Sequence, residues 1–225
     1  MAKLLQNKFL LLFLLSNLYT YCGYAQFSKD EDDERTFYGG ISVGGNFSQV
    51  DGDNFAGFHK AGWNAGVIVY TKLADRLAVG LELLYAQKGS RAGQNQVPKV
   101  GNDQNTIIFD YKIKLNYAEI PVIINYFDKR SNHFGAGLSY SRLFRSSELY
   151  KDGTGTTFEN DSKIYPFRKY DLSFVVNANA HIWKGLFWNL RYHYSLISIR
   201  NSYNPITGRD QQFNNVWSTR LMYIF

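Results

Sequence analysis

The side chains with the clearest potential for catalysis are His193 and Ser195, which lie two positions apart in a tyrosine-rich stretch. Residues at this spacing project from the same face of a β-strand, so a serine nucleophile and a histidine base could meet there. The histidine would also need an orienting acid, and Asp210 is the only acidic residue downstream of Ser195. We therefore expect no enzymatic activity and keep these two residues as weak candidates for a hydrolase.

We expect no metal ion and no cofactor. The four histidines have no spacing typical of a metal site. The Asp51-Gly52-Asp53-Asn54 segment carries two carboxylates, but it departs from the spacing of a calcium loop. The glycines between 39 and 45 are not followed by the Lys-Ser/Thr pair of a phosphate-binding loop.

Residues 1–25 have the pattern of a secretory signal peptide. The segment begins with positive charge, continues with an apolar run at 9–15, and ends with small residues at Gly23 and Ala25. The apolar run is shorter than the roughly 20 residues that a membrane-spanning helix needs. Cleavage after Ala25 would also remove Cys22, which is the only cysteine, so the mature chain would carry no thiol chemistry.

The charge of the chain does not favour a nucleic-acid partner. The formal net charge is +6, and Lys3 and Lys8 of the signal peptide contribute two of those charges. The remaining excess of +4 is dispersed, whereas nucleic-acid binding calls for a clustered basic face. Residues 26–36 contain the acidic run Asp30–Glu34, which predicts a solvated periplasmic tether.

From Phe37 onward, apolar and polar residues alternate with a period of two, which is typical of strands with one apolar face. The phase of this alternation changes near Ala118 on one long segment. Because Pro121 cannot donate to a strand ladder, we predict a β-bulge there. The alternation predicts eight strands, near 37–49, 61–72, 77–88, 107–127, 133–143, 168–182, 186–197 and 214–225.

The connections between these strands alternate strictly between short and long, as in an up-and-down meander. Three features place the apolar face outward, towards lipid. The opposite face carries charges and small polar residues, Tyr and Trp lie near strand ends, and strands of about 11 residues suit a tilted bilayer crossing. The sequence therefore predicts an all-β fold, an eight-stranded antiparallel up-and-down transmembrane β-barrel spanning 37–225. Its terminal Phe225 resembles the signal that the outer-membrane assembly machinery reads.

The segment Asn116-Tyr117-Ala118-Glu119-Ile120-Pro121, together with Phe37-Tyr38-Gly39-Gly40 in the first strand, resembles the PorT-like outer-membrane β-barrel family of Bacteroidetes-type Gram-negative bacteria. The resemblance covers essentially the whole mature chain. It implies an integral protein of the cell outer membrane. Some members of that family serve the type IX secretion and gliding machinery, so a role there is one of the functions that the resemblance leaves open.

Charged residues on the inward face must find partners, because an eight-stranded barrel has room inside only for its own side chains. Glu82, Arg191 and Arg220 each lie about five residues from the periplasmic end of their strands. We expect Glu82 to pair with Arg220 or Arg191 as a lumen plug. The alternative is that water bridges these groups.

Long loops at the cell surface are where binding usually resides. Loops 89–106 and 144–167 could contact lipopolysaccharide phosphates or a protein partner. Their candidate binding residues are Arg91, Lys99, Arg145, Tyr150, Lys151, Lys163 and Tyr165.

Three functions therefore stay open. The first is a structural or accessory barrel, with outer-membrane lipids and secretion proteins as partners. The second is a lipid A-modifying hydrolase, because the His193–Ser195 spacing resembles that of the outer-membrane lipid A deacylases. The third is a barrel that binds a ligand with its surface loops.

Overall fold

The computed structural model describes residues 36–92, 110–151, 154–160, 163–200, 202–204 and 208–225, so the predicted signal peptide and nearly all of the tether lie outside the described residues. No helix in this part of the chain is long and apolar enough to cross a membrane. The strands are β1 (Phe37–Asp51), β2 (Lys60–Ala74), β3 (Leu77–Arg91), β4 (Asp110–Phe127), β5 (His133–Lys151), β6 (Thr157–Glu159), β7 (Tyr170–Trp183), β8 (Leu186–Ser195) and β9 (Phe213–Ile224).

Eight of these strands form a closed antiparallel barrel, which confirms the predicted fold. Each strand pairs with the next barrel strand along the chain, and β1 closes the ring by pairing with β9 from Gly40↔Ile224 to Asp51↔Phe213. The short β6 stands outside the ring and pairs only with the last residues of β5. Thr36 and Phe225 lie at the same end as the short turns. We call this the turn end, and the opposite end the loop end.

The barrel has an apolar outside and a largely polar inside. On β3, for example, Leu81 and Leu83 point outward with 49% and 56% of their surface exposed, while Glu82 between them is buried in the lumen. This is the reverse of a soluble barrel and matches the expected lipid-facing surface. The alternation therefore predicted correctly which side of β3 faces outward.

The predicted bulge at Pro121 is wrong. The register between β3 and β4 is continuous from Leu77↔Tyr126 to Arg91↔Lys112, and odd-numbered residues of β4 face inward along its whole length. The irregularity lies on the neighbouring strand β5, where Arg145 pairs with Asn116 of β4 but Leu143 pairs with Tyr117. Phe144 is the extra residue, so Phe144 and Arg145 both lie on the exposed side.

The phase change that suggested a bulge has another cause. Between Ala118 and the turn end, below Ala118, the outward residues of β4 are apolar, as at Ile120 and Val122. Between Ala118 and the loop end, above Ala118, the outward residues include Lys114. The inward residues show the opposite change, because above Ala118 they are apolar, as at the fully buried Leu115. This half of β4 has the pattern of a soluble barrel, so the strand leaves the apolar layer near Ala118.

The fifth strand is longer than predicted. The alternation indicated an end near residue 143, but β5 continues to Lys151 beside β4. Its last residues have polar side chains on both faces, because this part of the barrel stands above the apolar band. The alternation of apolar and polar residues therefore ends near residue 143, although β5 itself continues to Lys151.

A charge-insertion experiment on β4 tests this boundary. We expect Val122→Lys to lower the free energy of unfolding by about 2–4 kcal/mol, because a lysine would enter the lipid-facing apolar band. The matched change Asn116→Lys, outward on the same strand but above Ala118, should cost less than about 1 kcal/mol. Denaturant unfolding of both variants in lipid vesicles measures the difference. Equal costs at the two positions would show that the boundary does not lie between them.

Candidate functional site

The lumen near the turn end holds a buried ion cluster built from three strands. Glu82 on β3 accepts two hydrogen bonds from Arg191 on β8, at 2.9 and 2.5 Å, and one from Arg220 on β9, at 2.9 Å. The Nε of Arg220 donates to Asn189 at 2.8 Å. All three charged side chains are almost completely buried. The structure thus brings together the three residues named from the sequence, with Glu82 contacting both arginines.

A second buried ion pair joins β3 and β4 at mid-height. The ammonium of Lys88 contacts Glu119, which also accepts a hydrogen bond from Ser141 at 3.3 Å. Lys88 lies 5.4 Å from the centre of the Tyr117 ring. This pair was not predicted from the sequence, although the alternation contains the signal. Lys88 lies an even number of residues from Glu82 on β3, and Glu119 is at an inward position of β4.

Ser195 belongs to a third polar cluster, centred on Asp171 of β7. The Ser195 hydroxyl donates to Asp171 at 2.9 Å and accepts from the backbone amide of Asn214 at 3.0 Å. The Asn214 side chain donates to Asp171 at 3.0 Å and to Tyr117 at 3.3 Å. Asp171 was not predicted as a partner of Ser195, because it lies upstream of Ser195 in the sequence. It reaches Ser195 from the neighbouring strand.

This arrangement does not pair Ser195 with His193 as a nucleophile with its base. A serine hydroxyl has one proton, and here that proton goes to Asp171 and not to His193. Ser195 and His193 are each only 1% exposed and face the lumen, whereas a lipid-cleaving serine must reach the bilayer. The hydrogen bonds of Ser195 link β8 to Asp171 of β7 and to Asn214 of β9.

The loop end of the lumen is closed by an apolar core with an ion cluster inside it. Arg200 donates to Glu148 at 2.6 Å, and Tyr111 and Asn204 also donate to this carboxylate. The Arg200 guanidinium lies 3.9 Å from the centre of the Phe167 ring. The core is formed by Val50, Phe55, Tyr111, Ile113, Leu115, Tyr117, Phe167 and Ile199.

The β1–β2 loop adds a buried carboxyl to this cap. Asp53 is 1% exposed and accepts a hydrogen bond from the Phe55 amide at 2.8 Å, and the Phe55 ring stacks on Tyr111 with 4.5 Å between ring centres. Burial raises the pKa of Asp53 to about 7, and the hydrogen bond from Phe55 offsets part of this rise. Asp53 therefore packs into the cap and does not form one side of an exposed calcium loop.

At the turn end an aromatic cluster lies beneath the Glu82 cluster. His133 stacks on Phe127 with ring centres 4.2 Å apart and meets Tyr70 and Phe187 edge-on. A cavity of about 430 Å³ opens beside it, lined by residues of β1, β2, β3, β4, β8, β9 and the three short turns. In the described residues, side-chain clusters therefore occupy the lumen at several heights between this cavity and the loop end.

The candidate binding residues fall into three groups. Arg145, Tyr150 and Lys151 lie on β5, and Arg91 ends β3, so these four residues of the predicted loops belong to strands. Lys163 is exposed and Tyr165 half-buried in the connection that precedes β7. Lys99 lies outside the described residues. Within the described part of the chain, no group of three or more His, Cys, Asp or Glu residues could hold a metal ion.

Removing the carboxylate of the Glu82 cluster tests its contribution. We expect Glu82→Leu to lower the free energy of unfolding by about 3–5 kcal/mol, because Arg191 and Arg220 would remain buried without a counter-charge. Glu159→Leu, at an exposed glutamate of β6, is the control and should change stability by less than about 0.5 kcal/mol. Denaturant unfolding in detergent micelles measures both. A Glu82→Leu variant as stable as the control would contradict the pairing.

The comparisons with known proteins agree with this geometry. A family model described as an outer membrane protein β-barrel domain matches residues 24–201. A comparison of the sequence with curated proteins gives no match.

Several solved structures are similar to this chain at low sequence identity. Ail, the attachment invasion locus protein of Yersinia pestis, is 12% identical with a TM-score of 0.49, and the match covers 85% of this chain and 100% of Ail. Neisserial surface protein A is 11% identical with a TM-score of 0.43, covering 85% of this chain and 98% of that chain. Outer membrane protein AlkL, solved in DMPC bilayers, is 13% identical with a TM-score of 0.37, covering 89% and 96%.

Proposed function

Because the chain belongs to the outer membrane protein β-barrel domain family, we propose that it is a sealed, non-enzymatic accessory barrel of the outer membrane. In this role the barrel anchors and orients the structures at its loop end, which faces the cell exterior in barrels with short periplasmic turns. The observation that carries the proposal is the filled lumen. Three ion clusters and two groups of aromatic and aliphatic side chains occupy it in layers.

The buried clusters support a structural role for the charged residues. The carboxylates of Glu82, Glu119 and Glu148 each contact a cation from another strand or from the segment between β8 and β9. These contacts use the three buried carboxylates as counter-charges inside the barrel. Ser195 also has a structural role, since its hydroxyl proton is donated to Asp171. The proposal of a non-enzymatic protein rests on this use of the polar residues.

The partner class rests on the resemblance to the PorT-like family, some members of which serve type IX secretion and gliding. In the segment that carries the resemblance, Tyr117 and Glu119 face the lumen and bind Asn214 and Lys88, while Asn116 faces outward opposite Arg145. These contacts make the segment part of the barrel wall at the point where it leaves the apolar layer. A secretion partner would therefore meet the loop end, and we place the accessory role there.

Purification from native outer membrane tests the accessory role. We expect the tagged full-length chain, extracted in mild detergent, to retain secretion or gliding components in stoichiometric amounts by mass spectrometry. Lys151→Gln/Lys163→Gln, at the loop end, should reduce this retention, because these exposed lysines lie where the partner docks. The control Lys129→Gln/Arg130→Gln removes the same charge from the exposed turn between β4 and β5 and should retain the partners.

Two outcomes would contradict this account. A chain that purifies alone would remove the accessory role and leave a free-standing barrel or a surface ligand-binding barrel. A change in lipid A acyl content that depends on the protein and disappears in Ser195→Ala would contradict the non-enzymatic proposal and favour the hydrolase.

A further inference from the structure

Five basic side chains lie on the outer wall of β3, β4 and β5 near the loop end. Two of them were named from the sequence as loop residues, but the structure places all five on strands. We call this set the basic strip; it consists of Arg91, Lys112, Lys114, Arg142 and Arg145.

The strand register brings the strip together. Arg91 of β3 pairs directly with Lys112 of β4, and Lys114 follows two residues along the same face. On β5, Arg145 pairs with Asn116 and Arg142 pairs with Ala118. Because adjacent strands are about 4.8 Å apart and alternate residues advance by about 6.6 Å, neighbouring cations of the strip lie within reach of one headgroup.

The strip begins where the apolar band ends. Arg142 is exposed two positions beyond the outward Tyr140, at the level of Ala118. At the same level the rings of Tyr85 and Phe144 approach within 5.9 Å, as in an interfacial aromatic girdle. From Ala118 to Lys112 the strand advances about 20 Å. This places the five cations at the depth of the lipid headgroups and just above it.

No described carboxylate forms an ion pair with the strip, since the ion pairs of the described residues lie in the lumen. Glu159 of the neighbouring β6 accepts a hydrogen bond from Ser147 instead. Lys112 lies beside Arg91 of the neighbouring strand, with Lys114 two residues away on one side and Asp110 two residues away on the other. The cations therefore repel one another, and a bound anion would relieve this repulsion.

The strip occupies only one side of the barrel. On β1, β8 and β9, all of whose residues the structure describes, no Lys or Arg points outward; Arg191 and Arg220 face the lumen. The charge is thus concentrated over three adjacent strands and is not a uniform ring around the barrel. Such a concentration favours a localised ligand.

We propose that the basic strip is a binding site for the phosphorylated headgroup of a glycolipid in the outer leaflet. Arginine pairs with phosphate through two parallel hydrogen bonds, and lysine supplies a compact charge, so the strip carries both modes of phosphate recognition. The depth of the site favours a lipid over a free anion, because the acyl chains of a lipid can lie on the apolar band while its phosphates contact the cations. The site needs no partner protein and is independent of the accessory role.

Native mass spectrometry of the refolded full-length chain in detergent, with bisphosphorylated lipid A as the probe, tests this site. We expect lipid A to bind, and Lys114→Gln/Arg145→Gln to weaken binding by about tenfold or more, since each basic residue adds attraction to an anionic headgroup. The control Lys129→Gln/Arg130→Gln removes two charges at the turn end and should bind as the unmodified chain does. Heat-dependent electrophoretic mobility verifies that both variants are folded.

Further arms identify the ligand chemistry. Dephosphorylated lipid A should bind at least about tenfold more weakly, and inorganic phosphate at the same concentration should not displace lipid A. Equal binding of the two lipids, or unchanged binding to a folded strip variant, would overturn the proposal. Displacement by inorganic phosphate at that concentration would assign the strip to a free anion and overturn the lipid assignment.

Discussion

The pairing of β1 with β9 is the constraint on which the rest of the structure depends. Lipid offers no hydrogen-bond partners, so a sheet that crosses the bilayer must close and leave no unpaired edge. Closure with eight strands fixes a narrow interior. Every inward side chain must then fit that interior, and every inward charge needs a partner inside it. The clusters around Glu82, Glu119 and Glu148 meet this requirement at three heights of the barrel.

The barrel is longer than its apolar band, and this determines the character of its loop end. On β4 the apolar side chains change from the outer face to the inner face at Ala118, although the strand itself continues without a break. Above that point the barrel packs around an apolar core in water, with Ile113 and Leu115 inside. The bulge at Phe144 of β5 keeps an aromatic ring at the boundary and an arginine directly above it.

Much of this organisation could be predicted from the sequence, because a period of two reports directly on a wall with lipid on one side. Seven of the eight strands have the expected positions to within about three residues, and Glu82, Arg191 and Arg220 meet in the lumen. The rest depends on which inward side chains the strand register brings together. Asp171 and Ser195 are 24 residues apart in sequence, and only strand pairing brings them within 2.9 Å.

The end of β5 and the position of the bulge were missed for a related reason. Above the apolar band, neither face of β5 is predominantly apolar, so the alternation that identifies a strand disappears before the strand ends. Pro121 attracted the prediction of a bulge because it lacks an amide donor. The ladder accommodates this locally, with no change of register on β3. The phase change on β4 marks the surface of the membrane and not a defect in the sheet.

Our proposal of a sealed outer-membrane barrel, with its function on the outer wall and loop end, rests on the paired charges and aromatic side chains in the lumen. Single-channel recording of the refolded full-length chain in planar lipid bilayers tests that claim most directly. The structure predicts a current no greater than that of the bare bilayer across the voltage range in which the membrane is stable. A steady, ohmic conductance from the folded barrel would contradict the sealed lumen.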